Sequence, residues 1–241
     1  MRNEIITNDK PNATENDLVF DNYAVERFRL NDDPIMYPSI DWRRYLLNKT
    51  SVQTQHNLNI SGGTKDIRYF ISLGFLYQNG LLKQFEGVGY DNNYKYKRYN
   101  YRANLDFDAT KTTTLKIGIG GIVGNRNEPM INDATNSIWT LINQTTPFSS
   151  PGVIDGKLIV TPEERFDNKI NLGNSALPKC YGTGYSTAIN NTMNLDLLLN
   201  QKLDFITKGL SAEIKGAYNT SYGFTKKRKG QVLSLIHISE P

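Results

Sequence analysis

Several groups of residues could do chemistry, and each must be weighed by type and spacing. Glu163-Glu164 and the pair Asp196/Asp204 are candidate paired acids. The first two are adjacent in a stretch that follows Pro162, so they do not converge from two sides. The second two share one strand face eight residues apart, about 26 Å at strand rise. General acid/base hydrolysis of a glycosidic bond needs a separation of ~5–9.5 Å. His56 falls on the apolar side of its run, and with one Cys (Cys180) and a distant His237 it builds neither a nucleophilic triad nor a metal site. Cys180 reads as a free loop thiol without a disulfide partner. Catalytic, cofactor-binding and metal residues are therefore not assigned, no cofactor is expected, and the protein does not read as an enzyme.

Three motifs suggest ligands. Gly118-x-Gly120-Gly121-x-x-Gly124 has the glycine density of a phosphate loop. Such a loop must open a helix, and these glycines alternate inside a strand pattern, so small residues in a packed wall are the better reading. Tyr94-Lys95-Tyr96-Lys97-Arg98-Tyr99 interleaves bases and rings, as single-stranded nucleic acid would require. The same mixture suits a strand end at a membrane interface, with Tyr at headgroup level and Lys or Arg beside phosphates. The +4 net charge is spread along the chain and does not argue for nucleic acid. Lys226-Lys227-Arg228-Lys229 reads as a loop at the outer side, where it would meet solvent or anionic lipopolysaccharide. Trp139 and Phe148 are the two candidates for contact with a sugar or a partner protein, since loops on a rigid scaffold carry function.

The elements around these residues are strands. Alternation dominates and helical periodicity is scarce. Val52 to Ile60 alternates, then Ile67, Tyr69, Ile71, Leu73, Phe75 and Tyr77 face one way and Arg68 to Gln78 the other. Tyr99, Tyr101, Ala103, Leu105 and Phe107 follow, then Leu115 to Val123, then Met193, Leu195, Leu197 and Leu199. A sixth run carries Leu210, Ala212, Ile214, Gly216, Tyr218, Tyr222 and Phe224. Runs of about 11–14 residues exceed the usual ~5–6. Twelve residues tilted by ~45° cover roughly 28 Å, near the thickness of a bilayer core.

The connections alternate short and long: Gly62-Gly63, then 80–96, then 110–113, then 125–191, then 207–209. This sorting is the mark of an outer-membrane barrel, with short periplasmic turns and long extracellular loops. Tyr77, Tyr99, Tyr101, Tyr218, Tyr222 and Phe224 lie toward the long loops, and Tyr69, Phe107 and Phe205 near the short turns. Two aromatic levels with aliphatic residues between them match interfacial girdles. The lipid-facing set is Tyr69, Ile71, Leu73, Phe75, Tyr77, Tyr99, Tyr101, Leu105, Leu197, Leu199, Ile214 and Tyr218. The polar face mixes charges of both signs, which suits a hydrated lumen or an ordinary solvated sheet. In residues 1–51, Glu15 to Leu30 and Asp41 to Leu47 suggest short helices, with Asp41 as an N-cap.

Asp33 to Leu82 resembles the SusC/RagA family of TonB-linked outer-membrane transporters. The matching pieces are Tyr37-Pro38, Asp41-Trp42, His56-Asn57-Leu58, Ser61-Gly62-Gly63, Tyr69-Phe70, Ser72-Leu73-Gly74 and Gln78-Asn79-Gly80. Tyr96 to Arg102 with Asn104 is similar to the family's next strand, and Trp139 to Pro151 to one of its loops. The resemblance implies a 22-stranded barrel with an N-terminal plug, importing glycans or peptides across the outer membrane of Bacteroidetes-type bacteria. It also implies a SusD-like surface lipoprotein as partner and TonB as the energy source.

The expectation is an all-β chain: an open fragment of a large antiparallel transmembrane β-barrel with about six long strands, embedded in outer-membrane lipid. Residues 1–51 form an extracellular segment and 52–232 the partial barrel. No signal peptide is visible at Met1 to Glu4, and plug and TonB-contacting segments are missing. Leu233 to Pro241 resembles adapter read-through and is set aside as a non-native tail. The alternatives are a soluble or surface all-β binding module or adhesin, with strands near six residues and unsorted loops, and a passive porin-type channel without a plug.

Overall fold

A computed structural model describes residues 2–131, 137–160 and 175–230. Glu163-Glu164, His237 and the 233–241 tail lie outside the described residues.

Six strands form one antiparallel sheet: β1 (Gln53–Gly63), β2 (Ile67–Asn79), β3 (Lys95–Asp108), β4 (Thr113–Pro129), β7 (Gly184–Lys202) and β8 (Ser211–Lys229), in the order β1-β2-β3-β4-β7-β8. The long connection holds helix α4 (Ile138–Gln144), a two-stranded hairpin β5 (Val153–Ile154) and β6 (Lys157–Leu158), and helix α5 (Ala176–Tyr181). Ahead of the sheet come α1 (Arg2–Asp9), a 3-10 turn at Glu15–Asp17, α2 (Asn22–Leu30) and α3 (Trp42–Leu46). Asp21 and Asp41 cap α2 and α3 by accepting from the Ala24 and Arg44 amides. Asn31 closes α2 in the left-handed region, φ 52°.

The strands are 11 to 19 residues long, and the sheet is open, with β1 and β8 as unpaired edges. These lengths argue against a soluble module of six-residue strands. Registers are continuous through all five pairs. Odd-numbered residues of β2, β3, β4 and β7 stand in one set of cross-strand rows with even-numbered residues of β1 and β8. One such row reads Ile60, Ile71, Ala103, Ile119, Leu195, Tyr218.

Four boundaries differ from the alternation pattern, and one is Lys226-Lys227-Arg228-Lys229, which is not a loop but the end of β8, paired with residues 184–187 of β7. Gly62 and Gly63 are inside β1, and the turn is Thr64-Lys65-Asp66, whose Thr64 hydroxyl oxygen accepts from the Asp66 and Ile67 amides. The glycines serve clearance instead: a Cβ on Gly62 would lie 2.6 Å from the Tyr69 hydroxyl, and one on Gly63 would lie 2.2 Å from the Ile67 carbonyl oxygen. β4 and β7 stay paired to Pro129 and Tyr185, so the connection spans 130–183 instead of 125–191. The last short turn spans Leu203 to Leu210. There Gly209, at φ +84°, donates its amide to the Asp204 carboxylate at 2.7 Å.

The protein-packed core lies at the long-loop end. Trp42, Leu46, Leu82, Val88, Ile138, Leu141, Ile142, Leu177, Cys180 and Tyr181 form one buried cluster drawn from α3, α4, α5 and the 80–94 connection. Side-chain bonds to backbone tie the pieces together. Trp42 Nε1 donates to the Thr146 carbonyl at 2.8 Å, and the Tyr181 hydroxyl donates to the Lys83 carbonyl at 2.7 Å. The Tyr90 hydroxyl donates to the Tyr181 carbonyl and accepts from the Gly184 amide at 3.0 Å.

Candidate functional site: a recess on the polar face beneath the loops

The even-numbered face of β2, β3, β4 and β7 is polar, and at its loop end it carries Gln78, Tyr96, Arg126 and Asn190. Helix α4, capped by the Ser137 hydroxyl that accepts from the Thr140 amide, brings Ile138, Trp139 and Ile142 to these side chains. A recess of about 880 Å³ lies between them, lined also by Tyr94 and Asn127. Arg126 pairs with Glu128 at 3.3 Å, and Asn127 donates to the carbonyls of Asp91 and Asn93 at 2.9 and 3.0 Å. Burial holds the Tyr94 phenol above its ordinary value, so it stays a neutral donor. The site offers aromatic surface, amides, the Arg126 guanidinium, the Lys95 amine and the hydroxyls of Ser51 and Ser137. Such a lining suits the binding of a polar ligand.

The two contact candidates part here. Trp139 lines the recess and is 49% exposed. Phe148 packs away from it, with ring centroids 5.0 Å from Phe20 and 6.0 Å from Phe28. Its partners come from the N-terminal segment, and its role there is packing. Arg126 and Asn190 were not singled out from sequence, and Tyr96 and Gln78 entered only within longer motifs, although the parity of all four on the polar face and their nearness to the long loops mark them.

A second polar recess, about 490 Å³, sits on the same face toward the short turns, lined by Arg68, Asp106, Lys116, Asp196 and Lys215. Arg68 reaches Asp108 at 3.1 Å and Asp106 at 3.9 Å. Opposite charges on neighbouring strands thus pair across this face. Asp196 stays here while Asp204 caps a turn, so the two do not form a catalytic pair. Among the described residues no group of His, Cys, Asp and Glu could hold a metal ion, and no helix is long and apolar enough to cross a membrane. Strands are not addressed by the latter fact.

The opposite face is apolar and bare. Tyr69, Ile71, Leu73, Tyr99, Leu105, Leu197, Leu199, Ile214 and Tyr218 are exposed on it, Ile214 by 70%. Phe75, Tyr77 and Tyr101 are half-buried by neighbours in the sheet itself. Phe75 lies between His56 and Tyr99, at centroid distances of 6.4 and 5.1 Å. Tyr77 has the Lys97 amine 6.0 Å from its ring. Tyr101 folds over Gly121, where a Cβ would meet its hydroxyl at 2.5 Å.

No family model matches the chain. It is 26% identical over 164 positions to the TonB-dependent receptor SusC of Bacteroides thetaiotaomicron, covering 62% of this chain and 16% of that protein. The structure of the RagAB peptide importer in its open-open state aligns over 93% of this chain and 26% of that one, with TM-score 0.55 and 15% identity. The chain therefore spans about a sixth to a quarter of the proteins it matches. In sequence the chain is similar to part of SusC, and its open antiparallel sheet has the fold of part of the RagAB importer.

Proposed function

We propose that this chain is the wall and outer-loop section of an outer-membrane nutrient importer. The single observation that carries this reading is the sheet's two faces. One displays contiguous aliphatic and aromatic rows with no protein over them, and the other is polar and lies beneath the chain's own loops. In water the bare face would be a large exposed apolar patch, and in lipid it is satisfied. Tyr69, Ile71, Leu73, Phe75, Tyr77, Tyr99, Tyr101, Leu105, Leu197, Leu199, Ile214 and Tyr218 face lipid in this reading. Residues 1–51 with the loops stand at the outer surface, and the sheet belongs to the barrel wall from 52 onward.

The cargo is an oligosaccharide or peptide, passed inward with TonB-supplied energy and received from a SusD-like lipoprotein. SusC is named a TonB-dependent receptor and RagAB a peptide importer, and similarity to them supports that cargo class and a two-component system. Trp139, with Tyr96 and Arg126 across the recess, forms a contact surface for the cargo. The reading also takes the protein as a transporter without catalytic function.

Flotation of the full-length gene product with outer-membrane vesicles tests the membrane assignment. Recovery in the buoyant fraction is expected, and recovery in the soluble fraction would sink it. Growth on oligosaccharide or peptide as sole nutrient, with and without Trp139→Ala, tests the recess. Slower uptake at unchanged surface abundance is expected.

A further inference from the structure

The apolar face does not stay apolar to its loop end. In the row holding Tyr77 and Phe224, β3 contributes Lys97. The next row outward on that face joins Lys95 to Lys226 through Asn127 and Thr187. Arg228 stands one row further, its guanidinium 6.0 Å from the Tyr185 ring, which stacks on Tyr90 at 5.6 Å. Lys95, Lys97, Arg228 and Lys229 line a single recess of about 620 Å³ with Tyr185. Asp91 is the carboxylate of that lining and it pairs with Lys95. The recess therefore keeps a surplus of positive charge. Directly inward on the same face stand Phe75, Tyr99 and Tyr222, then Leu73 and Met193.

This order of cations, aromatic rings and aliphatic side chains on one face matches an amphiphile with an anionic head. The cations come from strands three spacings apart, ~14 Å. One phosphate cannot bridge that distance, and a headgroup with two anionic groups can. We propose that the recess binds the paired phosphates of a glycolipid headgroup in the outer leaflet, with its acyl chains along the aliphatic rows. The proposal rests on the membrane reading above. Arg228 supplies a planar fork for one phosphate, and Lys97 a point charge for the other. Lys95 and Asn127 line this recess and the one beneath α4 alike, whereas Lys97, Arg228 and Lys229 line this one and not the other.

The test uses the full-length protein in phosphatidylcholine vesicles containing bisphosphorylated lipid A, and counts lipid A retained after gradient purification. At about fivefold per cation, the triple change Lys97→Gln, Arg228→Gln and Lys229→Gln is expected to lower retention about a hundredfold. Lys97→Arg with Lys229→Arg keeps the charge and the Arg228 fork and is expected to keep retention, which separates loss of charge from loss of folding. Lys116→Gln with Lys215→Gln, on the polar face, is expected to leave it unchanged. Equal retention by the triple variant, or equal retention of dephosphorylated lipid A, overturns the proposal. So does binding of inorganic phosphate to the same residues in detergent at comparable affinity, which would make the site one for a free anion. Failure of the wild-type protein to float sinks the membrane reading instead, and the proposal with it.

Discussion

Leu141 and Leu73 are the same residue in opposite surroundings. Leu141, on α4, is fully buried among Trp42, Ile138, Leu177 and Tyr181, while Leu73, mid-strand in β2, is 48% exposed with no protein over it. The loop-end cap is built like a small soluble protein, with an aromatic-rich core and side-chain bonds to backbone. Among the described residues the wall has no such core. Its order comes from an unbroken backbone ladder, and its apolar residues await a solvent the chain does not supply. One chain thus folds by two rules. The cap excludes water by packing, and the wall satisfies its backbone first and leaves its apolar face uncovered by the described residues, as the proposed lipid contact requires.

The contrast can be broken from either side. The largest effect is expected from Trp42→Ala, which empties the centre of the cap and removes the bond to the Thr146 carbonyl. The cost should be about 3–5 kcal/mol, seen as lost hydrogen-exchange protection in α3, α4 and α5 with the ladder still protected. If β2 and β3 lose protection equally, the two regions are one cooperative unit. Next is Leu73→Arg, expected to cost about 2–4 kcal/mol in a bilayer, measured by urea titration of vesicle-folded protein. Asn219→Arg, exposed on the polar face opposite Asn194, should be near neutral in the same assay. Equal costs would erase the distinction between the faces.

A smaller change follows from Tyr101→Ala. It uncovers Gly121 and should cost about 0.5–1 kcal/mol in that titration, with Gly121→Ala alone worse because its Cβ meets the Thr192 carbonyl oxygen at 2.5 Å. The smallest effect at neutral pH belongs to Cys180. Burial pushes its thiol from 9.0 up to about 12. A raised acid pKa means the folded cap keeps the proton that the unfolded chain releases. Its contribution is intact below pH 9 and is lost as pH rises toward 12. Alkylation by iodoacetamide at pH 9 should be slow in the folded protein and fast after unfolding. Fast labelling of the native protein would refute the burial.

The wall was legible in sequence because one apolar and one polar face impose period two for a dozen residues at a stretch. Legibility ended where the faces became alike. Asn125, Asn127 and Glu128 in β4, and Ser186 and Thr187 in β7, are polar on both faces, so alternation stops while the hydrogen bonds continue. The Gly62-Gly63 pair misled for a related reason: glycine marks turns and close approaches alike, and here Tyr69 needed the room. The cap was hardly legible. Phe148 finds Phe20 and Phe28 across more than a hundred residues of chain, and no local pattern announces that meeting. Trp139 was found by type alone, whereas its neighbours Tyr96 and Arg126 needed the register to bring them beneath α4.

The uninterrupted register has a consequence for how such a wall can vary through descent. From Gln53 to Lys229 the five strand pairs contain no bulge, so each strand has a single parity and each side chain's surroundings follow from it. A one-residue insertion in β3 would move Tyr99, Tyr101 and Leu105 to the polar face and Arg98, Arg102 and Asp106 to the apolar one. Gains and losses of chain are thereby confined to the loops, or to pairs of residues within a strand. Lineages of this wall can exchange loops of any length while changes within a strand come in pairs of residues.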